Sequence, residues 1–178
     1  MNTRQLQRVM ESDPYGKRQF QGVFAADRIP TRIESYPSAF IANTDPASKP
    51  GAHWVAFYFP SDNRGEFFDS YGHPPAFYHR SFENVLKNNG RSWTYNRECL
   101  QGMSSQVCGQ YCLYYLLNRC RSVHIAKIFS RFGANKDWND RKVARFVCKR
   151  YHRLLNVKRW CKGQTSSRKY LGKKLVHM

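Results

Sequence analysis

Short apolar runs separated by turn-forming residues characterise the first hundred positions of the chain. Aliphatic and aromatic side chains dominate 38–43, 53–59 and 66–71, and a shorter run of the same kind occupies 93–96. Such runs, bounded by proline, glycine and asparagine, predict β-strands. The polar stretch 61–65 (SDNRG) predicts a hairpin turn, so the strands on either side of it should be antiparallel neighbours.

Other segments are predicted to form helices, namely 2–12, 81–89, 108–118, 122–132 and 138–155. In 81–89, 108–118 and 138–155 the apolar residues recur at helical spacing, which predicts one buried face for each of these helices. The mixture of predicted strands and helices indicates an α+β protein. Periodicity alone does not determine the order of the strands in the sheet.

The last predicted helix, 138–155, is amphipathic and strongly basic. Its apolar side is formed by Val143, Phe146, Val147, Leu154 and Leu155. Its cationic surface is formed by Arg141, Lys142, Arg145, Lys149, Arg150 and Arg153. A cationic helix face of this kind is a candidate nucleic-acid contact, although a solvated basic face without a specific ligand would have the same sequence.

Positive charge is concentrated in the last third of the chain. The 178 residues carry 30 Lys and Arg against 12 Asp and Glu, a net charge of +18. Residues 1–118 hold 12 basic and 10 acidic side chains, whereas 119–178 hold 18 basic and two acidic ones, a net charge of +16. We expect one domain over 1–161, of which 119–161 is a basic helical part, and a basic tail at 162–178. Nucleic acid is the first polyanion to consider as a partner.

The chain shows neither an apolar segment of membrane-spanning length nor the apolar stretch of a signal peptide. We therefore expect an intracellular protein that does not interact with membranes. Its six cysteines match no compact secreted disulfide framework, so reduced thiols are expected. At least one of these thiols is then available for chemistry.

Four residues can be assigned the roles of nucleophilic acyl transfer. Cys108 follows a polar loop and begins a predicted helix, whose N-terminal dipole favours a thiolate. His53 and Asp69 are predicted on adjacent strands, roughly opposite one another, where the carboxylate could orient the imidazole as a general base. Gln101 could donate its amide to an oxyanion together with the backbone N–H of Cys108. Taken singly, each of these residues is more often structural than catalytic.

Together these residues lie in motifs that resemble a known family. The segments 41–44 (IANT), 51–57 (GAHWVAF), 68–72 (FDSYG), 101–102 (QG) and 107–109 (VCG) are similar to those of adenovirus endopeptidases and their relatives in Polinton-type elements and related viruses. The resemblance covers roughly residues 15–120. Its order of histidine, acid, glutamine and cysteine is shared with the proteases that process ubiquitin-like proteins.

The resemblance implies a papain-like α+β core and a cysteine endopeptidase. It gives His53, Asp69, Gln101 and Cys108 the catalytic roles, with Asp69 where adenoviral enzymes usually have glutamate. Trp54 and Gly109 are implied as supporting residues beside the substrate.

The resemblance also implies a substrate and a setting. The substrates would be precursor polypeptides of a virus or virus-like element, cut at small, Gly-Gly-like sites by a monomeric enzyme in the host nucleus or the virion. Chemistry would need no cofactor, while DNA and a viral peptide would be activators. Cys99 lies closer to Gln101 than the cysteine that joins the peptide in adenoviral enzymes, so that role is not transferred to it.

Two alternatives remain at this point, and a third is disfavoured. The chain could remove ubiquitin-like modifiers, which the aspartate at position 69 favours, or it could be a non-enzymatic nucleic-acid-binding module built on the basic helices. A zinc site from Cys108, Cys112, Cys120 and His124 is disfavoured, because the first three lie on or just after one predicted helix and cannot converge on one ion. No metal is therefore expected.

Overall fold

The computed structural model describes residues 1–155 and has a five-stranded mixed sheet at its centre. The strands lie in the order in which they occur along the chain. The outer pairs β1–β2 and β4–β5 are parallel, whereas β2–β3 and β3–β4 are antiparallel. The strand bounds are Phe20–Phe24 (β1), Ser38–Asn43 (β2), Trp54–Ser61 (β3), Arg64–Phe68 (β4) and Ser92–Tyr95 (β5).

Five α-helices surround this sheet within the described residues. Their bounds are Thr3–Ser12 (α1), Ser81–Asn89 (α2), Cys108–Arg119 (α3), Ile125–Phe129 (α4) and Lys136–Leu155 (α5). The α+β class predicted from the sequence is thus the class observed, and the predictions for α1, α2, α3 and α5 lie within two residues of the structure.

The helix predicted at 122–132 is much shorter than expected. Ser122 adopts a positive φ of 58°, which interrupts the helical path, and the chain restarts only at α4. The side chain of His124 accepts a hydrogen bond from the backbone N–H of Ala126 and so caps the new helix. A local turn therefore replaces the first part of the predicted helix.

Helices cover the sheet on both faces. The central strands therefore have apolar residues at consecutive positions in the sequence. On one face, Ile41, Ala56 and Phe68 pack in a core with α1, α3 and α5. On the other face, Phe40, Phe57 and further residues pack in a second core with α2. Because both faces of β3 are buried, the strand that follows His53 is firmly fixed.

A buried ion pair ties the end of α3 to the middle of the sheet. The guanidinium of Arg119 donates to Glu66 at 2.7 and 2.8 Å, and the Tyr115 hydroxyl donates to the same carboxylate at 2.7 Å. Glu66 is 1% exposed, so its charge depends on these partners. The pair fixes α3 relative to β4, and with it the helix start at Cys108.

Helix α5 contacts α3 and α1 through one side. Val143, Val147 and Tyr151 are buried, and the Tyr151 hydroxyl donates to Asp13 at 3.0 Å. The expected inward position of Leu154 is wrong, because this side chain is 41% exposed near the end of the helix, one position off the buried stripe. The basic tail predicted at 162–178, and the end of the predicted domain from 156 to 161, lie outside the described residues.

Among residues 1–155, no helix combines the length and the apolar character that crossing a bilayer requires. Cys99, Cys108, Cys112 and Cys120 carry free thiols. Cys148 is disulfide-bonded, so the expectation of reduced cysteines is wrong at that position. The cysteine pattern of a chain predicts the usual state of its thiols and does not determine the state of each one.

Candidate active site

His53 and Asp69 meet at the open end of the hairpin formed by β3 and β4. His53 lies immediately before β3 and Asp69 immediately after β4, so neither belongs to a strand as predicted. The two strands pair Ala56 with Phe68. Continuing that register would place Asp69 opposite Val55 rather than opposite His53. The histidine therefore reaches the carboxylate diagonally, from beyond the end of the paired region.

The His53–Asp69 contact is short and shielded from water. His53 Nε2 lies 2.6 Å from Asp69 Oδ1, and the two residues are 8% and 0% exposed. Burial opposes ionisation of Asp69, but the hydrogen bond and charge of His53 outweigh it, and backbone N–H groups add to the effect. The pKa of Asp69 is consequently lowered. The aspartate is held as an anion whose first partner is the imidazole.

The second carboxylate oxygen of Asp69 and its backbone have partners of their own. Oδ2 accepts from the Tyr78 hydroxyl at 2.9 Å and from the backbone N–H of His73 at 2.9 Å, and it lies 3.2 Å from His73 Nδ1. The side chain of Asn96 accepts from the backbone N–H of Asp69 at 3.0 Å and donates to its carbonyl. Asp69 therefore cannot rotate without breaking several hydrogen bonds.

Cys108 is the first residue of α3 and lies beside His53. Because Nε2 of His53 is engaged by Asp69, the other ring nitrogen, Nδ1, is the one available to the thiol. His53 and the backbone N–H of Trp54 both act to lower the pKa of that thiol. Val107 makes no side-chain cap at this helix start, so the positive end of the helix dipole acts on the sulfur without a capping side chain.

The electrostatics favour an ion pair between Cys108 and His53. Burial by itself would lower the pKa of His53, but its hydrogen bonds to Asp69 and Cys108 outweigh burial and raise the pKa to about 9. Burial would likewise raise the pKa of Cys108, yet the hydrogen bond and charge of His53 lower it below its ordinary value. A thiolate beside an imidazolium is the reactive form of a cysteine nucleophile.

Gln101 is fully buried in the loop before α3. Backbone hydrogen bonds from Leu100 and Gln101 to the carbonyl of Ser70 attach this loop to the end of β4. The Gln101 side-chain oxygen accepts from the Ser70 hydroxyl at 2.8 Å, and its nitrogen donates to the Ser105 carbonyl at 2.8 Å and to the Tyr71 hydroxyl at 3.1 Å. The structure thus brings Gln101 to the same cleft as Cys108, with its amide hydrogens already engaged.

An open cleft of about 600 Å³ contains these groups. His53, Gln101 and Cys108 line it together with Tyr71, the loop 43–52 and residues 1–3. The loop is braced by Asn43, whose side chain accepts from the backbone N–H groups of Asp45 and Ala52. Cys108 and His53 are thus both open to this cleft.

Trp54 and Gly109, the supporting residues that the resemblance implied, follow His53 and Cys108 directly in the chain and lie close to each other. The Trp54 indole N–H donates to the carbonyl of Met1 at 3.1 Å, which holds the ring against the start of α1. A Cβ atom at Gly109 would stand 3.2 Å from Met1 and from Leu6 and 3.5 Å from the Trp54 ring. The glycine thus allows Trp54 and the N-terminal segment to pack closely around α3.

The predicted nucleic-acid residues lie elsewhere on the molecule. A second concavity, of about 790 Å³, shares no lining residue with the cleft. Its cationic lining residues are Arg131, Arg141, Lys142, Arg145, Lys149 and Arg150. We call this concavity the basic groove. Trp138 and Phe146 also line it, whereas Arg153 is exposed further along α5 and does not.

Sequence reasoning missed the residues that support the site. His73, Tyr78 and Asn96 hold Asp69, while Ser70 and Tyr71 hold Gln101. Their positions just after Asp69 were a usable signal for Ser70, Tyr71 and His73, because residues that follow a strand end share its edge. Asn96 carried no signal. Within residues 1–155, no group of three or more His, Cys, Asp or Glu is placed to hold a metal ion.

A mixed sheet packed against a helix that starts at a cysteine, with a His–Asp pair at the ends of the inner strands β3 and β4, is the arrangement of a cysteine-protease fold. Among solved structures, the chain is similar to the crystal structure of the ASFV pS273R protease, with a TM-score of 0.54 and 16% sequence identity over 80% of this chain. A selenomethionine structure of the same protease gives a TM-score of 0.37 and 24% identity over 59% of this chain.

The first of these matches concerns the fold alone. The chain spans 65% of the first neighbour's length and 43% of the second's. No protein-family model matches the chain. No curated protein matches it either.

Proposed function

We propose that the protein is a cysteine endopeptidase. The observation that carries the proposal is the buried His53–Asp69 pair beside Cys108 at the start of α3, on the floor of an open cleft. The three side chains can supply the roles that nucleophilic acyl transfer requires: a nucleophile, a base beside it and an anion that orients the base.

In the proposed reaction the Cys108 thiolate attacks the carbonyl carbon of a peptide bond. The resulting oxyanion is stabilised by hydrogen-bond donors at the helix start, and the C–N bond breaks as imidazolium His53 gives its proton to the leaving amine. His53 then takes a proton from water, which attacks the acyl-enzyme and releases Cys108. Asp69 keeps the imidazole oriented throughout. As proposed, each step uses only groups of this chain, and no cofactor takes part in the chemistry.

The proposed substrates are precursor polypeptides of a virus or virus-like element, cut at small residues such as Gly-Gly. The resemblance of the motifs to adenovirus endopeptidases supports this assignment. Trp54 and Tyr71 line the cleft beside Cys108, and two aromatic walls next to a nucleophile favour small side chains at the scissile bond. A protease of ubiquitin-like modifiers would share this preference, since such modifiers end in glycine pairs.

The experiment that tests the proposal compares peptides with matched lengths. The purified protein is incubated with a peptide containing Gly-Gly, with the same peptide containing Val-Val, and with ubiquitin-like proteins fused to a reporter through a Gly-Gly terminus. Thiol-dependent cleavage of the first peptide, read by mass spectrometry, supports an endopeptidase. Cleavage confined to the fusions would instead assign the modifier-removing activity, and no thiol-dependent cleavage of any substrate would contradict both.

We also propose that DNA binds the basic groove and stimulates the enzyme. Six cationic side chains surround this groove, and the aromatic ring of Trp138 is 47% exposed, with the Lys142 ammonium 4.2 Å from its centroid. Exposed aromatic rings next to cations are typical of surfaces that bind single-stranded nucleic acid. The net charge of +16 on residues 119–178 favours the same partner. The resemblance to adenovirus endopeptidases also supports a viral peptide as a second proposed activator.

Charge reversal tests the DNA proposal. The triple variant Arg145→Glu, Lys149→Glu and Arg150→Glu is expected to weaken DNA binding more than tenfold. The slope of log Kd against the logarithm of salt concentration should fall by about one for each phosphate that the variant no longer neutralises. Binding is measured by fluorescence anisotropy at several salt concentrations.

The matched control for this variant reverses Arg32, Arg64 and Arg91. These side chains are exposed elsewhere on the molecule and give the same change in net charge. Equal weakening of DNA binding by both triple variants would mean that DNA responds to net charge rather than to α5.

A further inference from the structure

The side-chain amide of Gln101 has no hydrogen left for a substrate. An amide nitrogen carries two hydrogens, and here one is donated to the Ser105 carbonyl and the other to the Tyr71 hydroxyl. The Gln101 oxygen is held by the Ser70 hydroxyl, and the side chain is 0% exposed. Gln101 can therefore reach an oxyanion directly only by weakening or breaking one of these bonds.

The hydroxyl of Tyr71, in contrast, has a hydrogen available for a substrate. Its oxygen accepts the Gln101 hydrogen bond, and within residues 1–155 its own hydrogen has no acceptor. Its side chain lines the same cleft as Cys108. The Tyr71 ring lies 4.8 Å from the His53 ring, tilted by 33°, so the phenol stands beside the reacting groups rather than at the rim.

The backbone around Tyr71 is fixed by the catalytic aspartate. The Tyr71 N–H donates to Asp69 Oδ1 at 3.1 Å, and the next residue, Gly72, donates to the Asp69 carbonyl at 3.0 Å. Gly72 has a φ of +79°, and a Cβ atom there would stand 2.8 Å from the backbone of Glu98. This tight turn aims the tyrosine back into the cleft.

The phenol also remains protonated in this environment. Burial and the negative charges of Cys108 and Asp69 raise the pKa of Tyr71 above its ordinary value. The group is thus a neutral hydrogen-bond donor over the whole range in which the Cys108–His53 pair operates.

We propose that Tyr71 is a catalytic residue that donates its hydroxyl hydrogen bond to the oxyanion, and that Gln101 acts through Tyr71 as a positioning residue. The inference rests on the proposed acyl-transfer function. As the Cys108 sulfur bonds to the carbonyl carbon, the carbonyl π electrons move to oxygen, and that oxygen accepts hydrogen bonds from Tyr71 and from the Cys108 backbone N–H. No proton is transferred to the oxyanion. The Gln101 hydrogen bond into the phenol oxygen polarises the hydroxyl and makes it a stronger donor.

The variant Tyr71→Phe separates this role from a structural one. Removing one oxyanion donor is expected to lower kcat for peptide hydrolysis by about 10²–10³-fold with little change in KM. Alkylation of Cys108 by iodoacetamide forms no oxyanion, so its rate and pH profile should equal those of the parent. Tyr15→Phe, at an exposed tyrosine away from the cleft, is the matched control and should leave both reactions unchanged.

Two results would overturn the inference. A kcat within about threefold of the parent would show that the hydroxyl does not contact the oxyanion, since one donor is worth far more. A parallel decrease in alkylation would show that Tyr71 acts on the Cys108–His53 pair instead.

The double variant Gln101→Ala with Tyr71→Phe tests whether Gln101 acts through Tyr71. If Gln101 acts through the phenol, the double variant should be no slower than Tyr71→Phe alone. Additive decreases in kcat would make the two side chains independent donors.

A peptide aldehyde tests the role of Tyr71 even if the parent protein cuts no peptide. An aldehyde forms a reversible hemithioacetal with Cys108, whose oxygen occupies the oxyanion position without bond cleavage. Its affinity should fall at least tenfold in Tyr71→Phe, while the affinity of the corresponding alcohol is unchanged. A parent that binds the aldehyde but cuts no peptide would contradict the proposed function alone, and equal aldehyde affinity in the parent and Tyr71→Phe would contradict the role of Tyr71.

Discussion

Cys108→Ala is expected to reduce peptide hydrolysis by about 10⁶-fold, to the limit of detection, because removal of a covalent nucleophile closes the acyl-enzyme route entirely. The fold should survive this change. Cys108 is only partly buried, and α3 is held independently by the Arg119–Glu66 pair and by the core around Tyr111 and Tyr115. The measurement is the rate of cleavage of the Gly-Gly peptide at saturating substrate, alongside a thermal melting curve.

Cys112→Ala is the matched control for this prediction. Cys112 lies one helical turn further along α3 and is 1% exposed, and burial raises its pKa well above the ordinary value. Its thiol is therefore inert packing, and its removal should cost some stability while leaving cleavage close to that of the parent. Retained cleavage in Cys108→Ala, or equal decreases in both variants, would remove Cys108 from the reaction.

The sheet was predictable from the sequence where strands are buried on both faces. Residues 38–43 and 53–59 form continuous apolar runs because α2 covers one face and α3 the other. Strand β1 was not predicted, since its five residues include Gly22 at a φ of +143° and are mostly half-exposed. An edge strand with a glycine and a register shift has no clear two-residue period.

The residues of the candidate site could be predicted from the sequence, but the hydrogen bonds that support them could not. Cys108 could be placed at a helix start, and His53 and Asp69 near one hairpin, because those features are local in sequence. The contacts of Asn96 with Asp69 and of Asp140 with the Gly102 N–H span 27 and 38 residues. Such contacts depend on the docking of β5 and α5, which no local pattern specifies.

The packing of α5 connects the basic groove to the loop that contains Gln101. Helix α5 carries the basic groove on its outer side and Asp140 on its inner side, where Asp140 accepts from the Tyr111 hydroxyl at 2.9 Å and from the Gly102 N–H. Gly102 follows Gln101 directly. A partner that binds the groove could therefore alter the position of the Gln101 loop through α5, which is a physical route for the proposed stimulation by DNA.

His53→Ala is expected to lower peptide hydrolysis by at least about 10⁴-fold and to shift the pH dependence of Cys108 alkylation upward. In the parent, the pKa of Cys108 is lowered and that of His53 is raised to about 9, so the ion pair exists between these two values. Hydrolysis by the parent should rise as pH passes the lowered pKa of Cys108 and fall as pH passes about 9, where the imidazolium loses its proton.

Without the imidazolium, burial is left to oppose the thiolate and the pKa of Cys108 rises. Alkylation of His53→Ala at about pH 6 should then be at least tenfold slower than in the parent, and the two rates should converge as the solution becomes strongly alkaline. His152→Ala, at an exposed histidine on α5, serves as the control and should follow the parent at every pH. Identical profiles for His53→Ala and the parent would show that the helix start alone activates Cys108, and the His53–Asp69 pair would then have no part in forming the nucleophile.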